Sequence, residues 1–135
     1  MNSKDLHIYG DGEYLRDYIY IDDVVNAFLH ASVMNYNNLF DKNDNILNVA
    51  SGKGASVIDV FKLISSEVEK ITGIKGTINN VAWPKDTNDI EKRNYIASIE
   101  LFKSFTGWEP SVSLQEGIQL LVKHFSKRGI SNEIS

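Results

Sequence analysis

The stretch that most constrains the fold of this chain runs from Ile46 to Gly73. Ile46-Leu47-Asn48-Val49-Ala50 reads as a short apolar strand, and Ser51-Gly52-Lys53-Gly54 breaks it. Ser56-Val57-Ile58-Asp59 then has the form of a capping box, with serine at the cap and an acid three residues on. Behind it Val57, Phe61, Ile64, Val68 and Ile71 recur at spacings of four and three, which predicts a helix with one buried face. Gly73 is its expected stop. Strand, glycine turn and capped helix in this order predict an α/β fold with short strands and about four helices.

On the N-terminal side, Leu6-His7-Ile8-Tyr9 alternates weakly and ends at the turn Gly10-Asp11-Gly12. Residues 15–20 read as a second strand, whose period of two places Arg16, Tyr18 and Tyr20 on one face. An arginine beside two tyrosines suits the wall of a polar pocket. Asp22 or Asp23 is the expected cap of a helix over about 22–35. Ile21, Val24, Val25, Phe28 and Ala31 should form its buried face, Asn35 to Asn38 its end, and Asp41 to Asn45 a polar loop.

Beyond Gly73, Thr77 to Val81 is a candidate strand and Trp83 to Asp89 a loop, because proline and a polar cluster stop regular structure. Tyr95-Ile96-Ala97 reads as a brief strand, followed by a helix capped by Ser98 that runs through Phe105 to Gly107. Ser113-Leu114-Gln115-Glu116 repeats the capping-box pattern. Leu114, Ile118, Leu121, Val122 and Phe125 predict a last helix to about 127, and 129–135 a frayed tail. At 135 residues the chain is expected to be a single domain or fragment.

Composition narrows the function classes. The net charge of −4 with no basic stripe argues against nucleic acid, and weakly against anionic membranes. The absence of cysteine excludes disulfides and thiolate metal sites. No apolar run approaches the roughly 18 residues that would span a bilayer, and no signal-peptide core follows Met1, so a cytoplasmic location is expected.

Catalytic constellations are scarce. His7, His30 and His124 lack metal-ligand spacing and read as structural, and no catalytic or metal-binding residue is expected. Asp22 and Asp23 could in principle transfer protons, but capping accounts for them more simply. Ser51-Gly52-Lys53-Gly54 sits where phosphates often bind, yet lacks the Gly-x-Gly-x-x-Gly spacing, so a tight turn explains it better. Arg16 has two open readings: an ion pair with Asp17 or Asp22, or a guanidinium fork for pyrophosphate or carboxylate.

Three blocks together resemble a known family. Ile8-Tyr9-Gly10-Asp11-Gly12 through Arg16-Asp17-Tyr18-Ile19-Tyr20-Ile21-Asp22-Asp23-Val24 is similar to the post-catalytic block of extended short-chain dehydrogenase/reductases, the NAD(P)-dependent sugar-nucleotide epimerases and dehydratases. Asn48 to Val57 resembles the strand–glycine–helix block that follows there. Ala97-Ser98-Ile99 and Gly107-Trp108-Glu109-Pro110-Ser111-Val112-Ser113-Leu114-Gln115-Glu116-Gly117 resemble its C-terminal end.

The resemblance implies the C-terminal portion of a Rossmann-type fold, lacking the N-terminal dinucleotide-binding half. The glycine fingerprint and the Tyr-x-x-x-Lys pair of the family are absent from this chain. The implied function is to bind a nucleotide sugar, UDP-, dTDP-, CDP- or GDP-linked, without catalysis by this chain alone. NAD(P) is implied only for a full-length parent. Arg16 is the implied diphosphate contact, with Tyr18 beside it on its strand face. The second arginine that precedes Gly-Asp in the family is missing, which leaves Lys85, Lys92 and Arg93 as candidates for its charge. Partners implied are an N-terminal Rossmann half or a second copy of the chain. The alternative is a non-catalytic oligomerisation or binding module derived from the same lobe.

Overall fold

Four short strands and four α-helices follow one another among residues 5–35 and 46–127, the residues described by a computed structural model of the chain. The expectations for Tyr36 to Asn38, Asp41 to Asn45 and the tail 129–135 lie outside these residues. In order they are β1 (Leu6–Tyr9), β2 (Leu15–Asp17), α1 (Ile21–Val33), β3 (Gly54–Ser56), α2 (Val57–Thr72), β4 (Ile78–Val81), α3 (Glu100–Thr106) and α4 (Leu114–Lys127), with a 3-10 turn at Asp89–Lys92 between β4 and α3. The α/β class expected from the sequence holds.

The chain divides into two compact units, each assembled from discontinuous segments. The first comprises Met1–Arg16, Ala55–Asn94 and Gln115–Ser135. In it β1 and β4 pair in parallel, Leu6 opposite Ile78 and Tyr9 opposite Val81, and α2 packs on β1. Ile8, Val60 and Ile118 are its buried apolar residues. Ser56 caps α2 as expected, the Asp59 amide donating to Ser56 Oγ at 3.2 Å, while the Asp59 carboxylate accepts from the Ser56 hydroxyl at 2.7 Å in place of the backbone amide of a full capping box. Gly73 closes α2 in the left-handed conformation, φ 72°. Gly12, φ 76°, lets the preceding turn approach α2 so closely that its carbonyl accepts from the Ile58 amide at 3.0 Å.

The second unit comprises Asp17–Gly54 and Tyr95–Leu114. Its core is Ala27, Phe102 and Trp108, with Ile19, Ala31, Leu47 and Val49 packed around them. The Phe102 and Trp108 rings lie 5.4 Å apart and tilted, a favourable aromatic arrangement.

Several expectations need correction. Residues 46–50 form no strand: the run has no regular structure and bends at Ala50, and Ile46 is exposed. The second strand stops at Asp17, so the alternation that grouped Arg16 with Tyr18 and Tyr20 does not continue past it. Tyr95-Ile96-Ala97 is irregular and exposed at Tyr95 and Ile96. Neither Asp22 nor Asp23 caps α1: the cap is Tyr20, with no side-chain hydrogen bond. Ser98 does not cap α3 either, since Ile99 precedes that helix and the Ser98 carbonyl accepts from Asn48 Nδ2. The buried side of α1 carries Asp23 and Ala27, while Ile21, Val25 and Phe28 face outward. On α4 Ile118 is buried, but Leu121 and Phe125 are exposed.

Candidate functional site

Arg16 lies in β2, at the C-terminal limit of the first unit's opening segment. Its Nη1 donates to the Leu15 carbonyl at 3.0 Å and to the Arg93 carbonyl, and Nη2 donates to the Glu91 carbonyl at 2.5 Å. The neighbouring Leu15 amide donates to Asn94 Oδ1 at 2.9 Å. The end of the 3-10 turn is thereby fastened to β2 by a cation that finds neutral carbonyls rather than a carboxylate. Three of the five guanidinium N–H donors are so engaged. Among the described residues Nε and one Nη2 hydrogen meet no acceptor, and their planar geometry suits a phosphate or carboxylate.

The other expected site residues stand as follows. Arg93 meets Arg16 through its backbone carbonyl, and its side chain is exposed. Lys85 is exposed in the turn that the Thr87 amide closes on the Pro84 carbonyl at 3.1 Å. Tyr18 is half-buried just after β2, in the second unit. The ion pair of Arg16 with Asp17 does not form, because Asp17 is engaged elsewhere. Its carboxylate accepts from the amides of Ser51 at 2.8 Å, Gly52 at 3.0 Å and Ala97 at 3.3 Å, and from the Ser51 hydroxyl.

That arrangement decides the Ser51-Gly52-Lys53-Gly54 turn. Its Ser51 and Gly52 amides point at Asp17, and the Lys53 amide donates to Ser51 Oγ at 3.1 Å. At the α2 N-terminus the Ile58 and Asp59 amides are held by Gly12 and Ser56. A dinucleotide pyrophosphate needs such amides free at a helix start, so these residues do not fit one. The tight-turn reading accounts for the turn.

Asp23 is the other carboxylate with a site-like environment. It is 4% exposed and accepts from the Ser111 amide at 2.9 Å, the Ser111 hydroxyl at 2.8 Å and the Val112 amide at 3.0 Å. Burial pushes its carboxyl up, but the two amides and the hydroxyl together hold it below the usual carboxylate range. It is a structural staple within the second unit. His30 Nδ1 lies 3.3 Å from the Thr106 carbonyl, also a structural contact. In the first unit the Lys70 ammonium holds the Glu67 carboxyl below its ordinary value against the opposing effect of burial, and Gln119 adds a second donor. Among the described residues no group of three or more His, Asp or Glu could hold a metal ion, and no helix is long and apolar enough to cross a membrane.

Residue-by-residue reading missed an aromatic group in the first unit. Trp83 stacks on Tyr9 with ring centroids 5.6 Å apart, and Tyr14 meets it edge-on at 6.5 Å. The signal available was the glycine at position 10: a Cβ there would collide with the Trp83 indole.

Residues 1–121 match the model of the family described as GDP-mannose 4,6 dehydratase. A Methanocaldococcus jannaschii protein carrying a provisional UDP-glucose 4-epimerase name is 33% identical over 115 residues, covering 85% of this chain and 32% of that protein. UDP-glucuronic acid decarboxylase 1 of Xenopus tropicalis is 28% identical over 94% of this chain and 27% of its own length. Among solved structures, the UDP-glucose 4-epimerase of Thermotoga maritima with UDP-glucose superposes with a TM-score of 0.68 and 36% identity, over 93% of this chain and 36% of that one. The UDP-glucuronic acid 4-epimerase of Bacillus cereus in complex with NAD gives a TM-score of 0.65 and 26% identity over 93% and 35%. The chain thus spans about a third of the length of the relatives it matches.

Proposed function

Because the chain belongs to the GDP-mannose 4,6 dehydratase family of NAD-dependent sugar-nucleotide epimerases and dehydratases, we propose that it is the nucleotide-sugar-binding portion of such an enzyme and is not catalytic by itself. The observation that carries this reading is the match, at 36% identity, to an epimerase structure that holds UDP-glucose. Arg16 is the diphosphate clamp: its Nε and remaining Nη2 hydrogen present a fork to two phosphate oxygens, while its other donors hold the 89–94 segment in place. Lys85 and Arg93 are secondary contacts, supplying charge from the exposed loop after β4.

NAD(P) is, on this reading, a ligand of a dinucleotide-binding half that these residues do not supply. The protein works in the cytoplasm and joins that half to complete a site. Isothermal titration of the chain with UDP-glucose, dTDP-glucose and GDP-mannose tests the assignment. Weak binding is expected, lost at least tenfold in Arg16→Ala. Tight NAD binding by this chain alone, or sugar-nucleotide binding indifferent to Arg16, would sink it.

A second reading, a non-catalytic assembly module, is favoured by one observation. Ile21, Val25, Phe28, Leu29 and Val33 form an outward apolar stripe along α1. A stripe of that length fits burial against a partner better than contact with water.

A further inference from the structure

The first unit has a concavity of its own, apart from Arg16. It is an open cavity of about 510 Å³, formed where one side of α2 meets the stretch that leads into β4. That volume lies within the range of small-molecule sites. Lys62, Ser65, Ser66 and Glu69 line it from α2, at the spacing of a single helix face, and Lys75 and Thr77 line the opposite wall. Ile78, also in the lining, pairs with Leu6 where the two parallel strands start. Arg16 and its carbonyl partners at 91 and 93 follow from the far ends of the same strands.

The two serines behave unlike the other hydroxyls on the helices. Ser32, Thr72, Ser104, Thr106 and Ser126 each donate to a carbonyl three or four residues back in their own helix. Ser65 instead reaches across to the Gly76 carbonyl, a long contact of 3.5 Å. Ser66 Oγ meets no partner among the described residues, and neither do Thr77 Oγ1, the Lys75 ammonium or the Glu69 carboxylate. Lys62 stands 3.7 Å from Asp59, with both side chains exposed, so that pair holds it weakly. Two ammoniums against one carboxylate give the cavity a positive excess in a chain whose net charge is −4.

We propose that this cavity is a second ligand site, for a small polyhydroxylated monophosphate of hexose phosphate size, independent of the clamp at Arg16. Lys62 and Lys75, from opposite walls, hold the phosphate as point charges. Ser65, Ser66 and Thr77 each donate and accept, as a sugar hydroxyl does, and the Glu69 carboxylate accepts from a further hydroxyl. An inorganic anion satisfies the lysines alone, and a free sugar satisfies only the hydroxyls and Glu69. The cavity therefore selects a molecule that carries both.

The test is a proton–nitrogen NMR titration of the labelled full chain with glucose 6-phosphate, glucose and inorganic phosphate. Glucose 6-phosphate is expected to shift the Ser65, Ser66, Gly76 and Thr77 amides saturably, with glucose and phosphate each binding about tenfold more weakly. Lys75→Gln should weaken glucose 6-phosphate by about tenfold, and Ser66→Ala by about threefold. Both positions are exposed, so the spectra of these variants should match the wild type elsewhere. In Arg16→Ala the same amides should respond as in the wild type, which separates this site from the clamp. Silence of these amides overturns the proposal, and so does binding that Lys75→Gln leaves intact. Inorganic phosphate that binds as tightly as glucose 6-phosphate reduces the cavity to an unselective cationic patch and overturns it too. A response that disappears in Arg16→Ala places the ligand at the clamp, so the second site falls while the reading of Arg16 stands.

Discussion

Asp17 and Asp23 each gather backbone amides from segments far along the chain, Asp17 from Ser51, Gly52 and Ala97, and Asp23 from Ser111 and Val112. Local sequence patterns see only near neighbours, which is why Asp23 reads as a helix cap and proves to be a staple across 88 residues. Replacing it by alanine leaves buried donors without a partner and should cost about 3 kcal/mol in urea unfolding. Because its folded pKa is depressed, the contribution is complete above the unfolded value of 3.8 and is lost as pH falls through the lower folded value. Stability of the wild type should therefore drop more steeply than that of Asp23→Asn as pH falls below about 4. Arg16 stands out in the sequence as a candidate from its place before an aspartate in an aromatic run. Its engagement with the carbonyls of Glu91 and Arg93 was not, since backbone acceptors carry no sequence signature.

The elements were read best where caps and period agree. On α2 the capping box, the apolar spacing and the terminal glycine all point the same way, and the helix runs from Val57 to Thr72 as expected. On α1 the period was legible but the buried side was not. A count of large apolar residues favours Val25 and Phe28, whereas the close packing under the helix admits Ala27 and a carboxylate. The run 46–50 fails as a strand for a related reason: apolar character does not supply a ladder partner. Two glycines separate conformation from contact. At Gly107, φ 70°, nothing lies within 4 Å of an added Cβ, so Gly107→Ala should cost about 1 kcal/mol for backbone strain alone. At Gly12, φ 76°, the Cβ would stand 2.9 Å from Ile8 Cγ2 and 3.2 Å from the Ile58 amide nitrogen. Gly12→Ala should cost about 3 kcal/mol, and differential scanning calorimetry of the two variants would show the larger fall in Tm at Gly12.

At the scale of the molecule, both units are stitched from separated stretches, and the chain passes between them four times, after Arg16, Gly54, Asn94 and Leu114. The apolar stripe of α1, with Phe28 at 69% and Val33 at 83% exposure, predicts concentration-dependent self-association of the isolated chain. Sedimentation velocity should show it, and Phe28→Glu should shift the population toward monomer. A single compact species at every concentration would contradict that expectation. The class of fold was legible because strand, turn and helix signals are local. The division into units was not, because it depends on pairings between residues that lie far apart along the chain.

The parallel pairing of β1 with β4 joins Leu6 to Ile78, and this has a kinetic consequence. On the ribosome β1 emerges before β4 and must wait until residue 81 has followed, roughly 4–14 s at ordinary elongation rates. Loop closure over that span makes the pairing a late, slow step in refolding as well. Until then β1 is an unprotected sheet edge. The chain's yield of native protein should therefore fall with synthesis temperature and crowding more than its equilibrium stability would suggest.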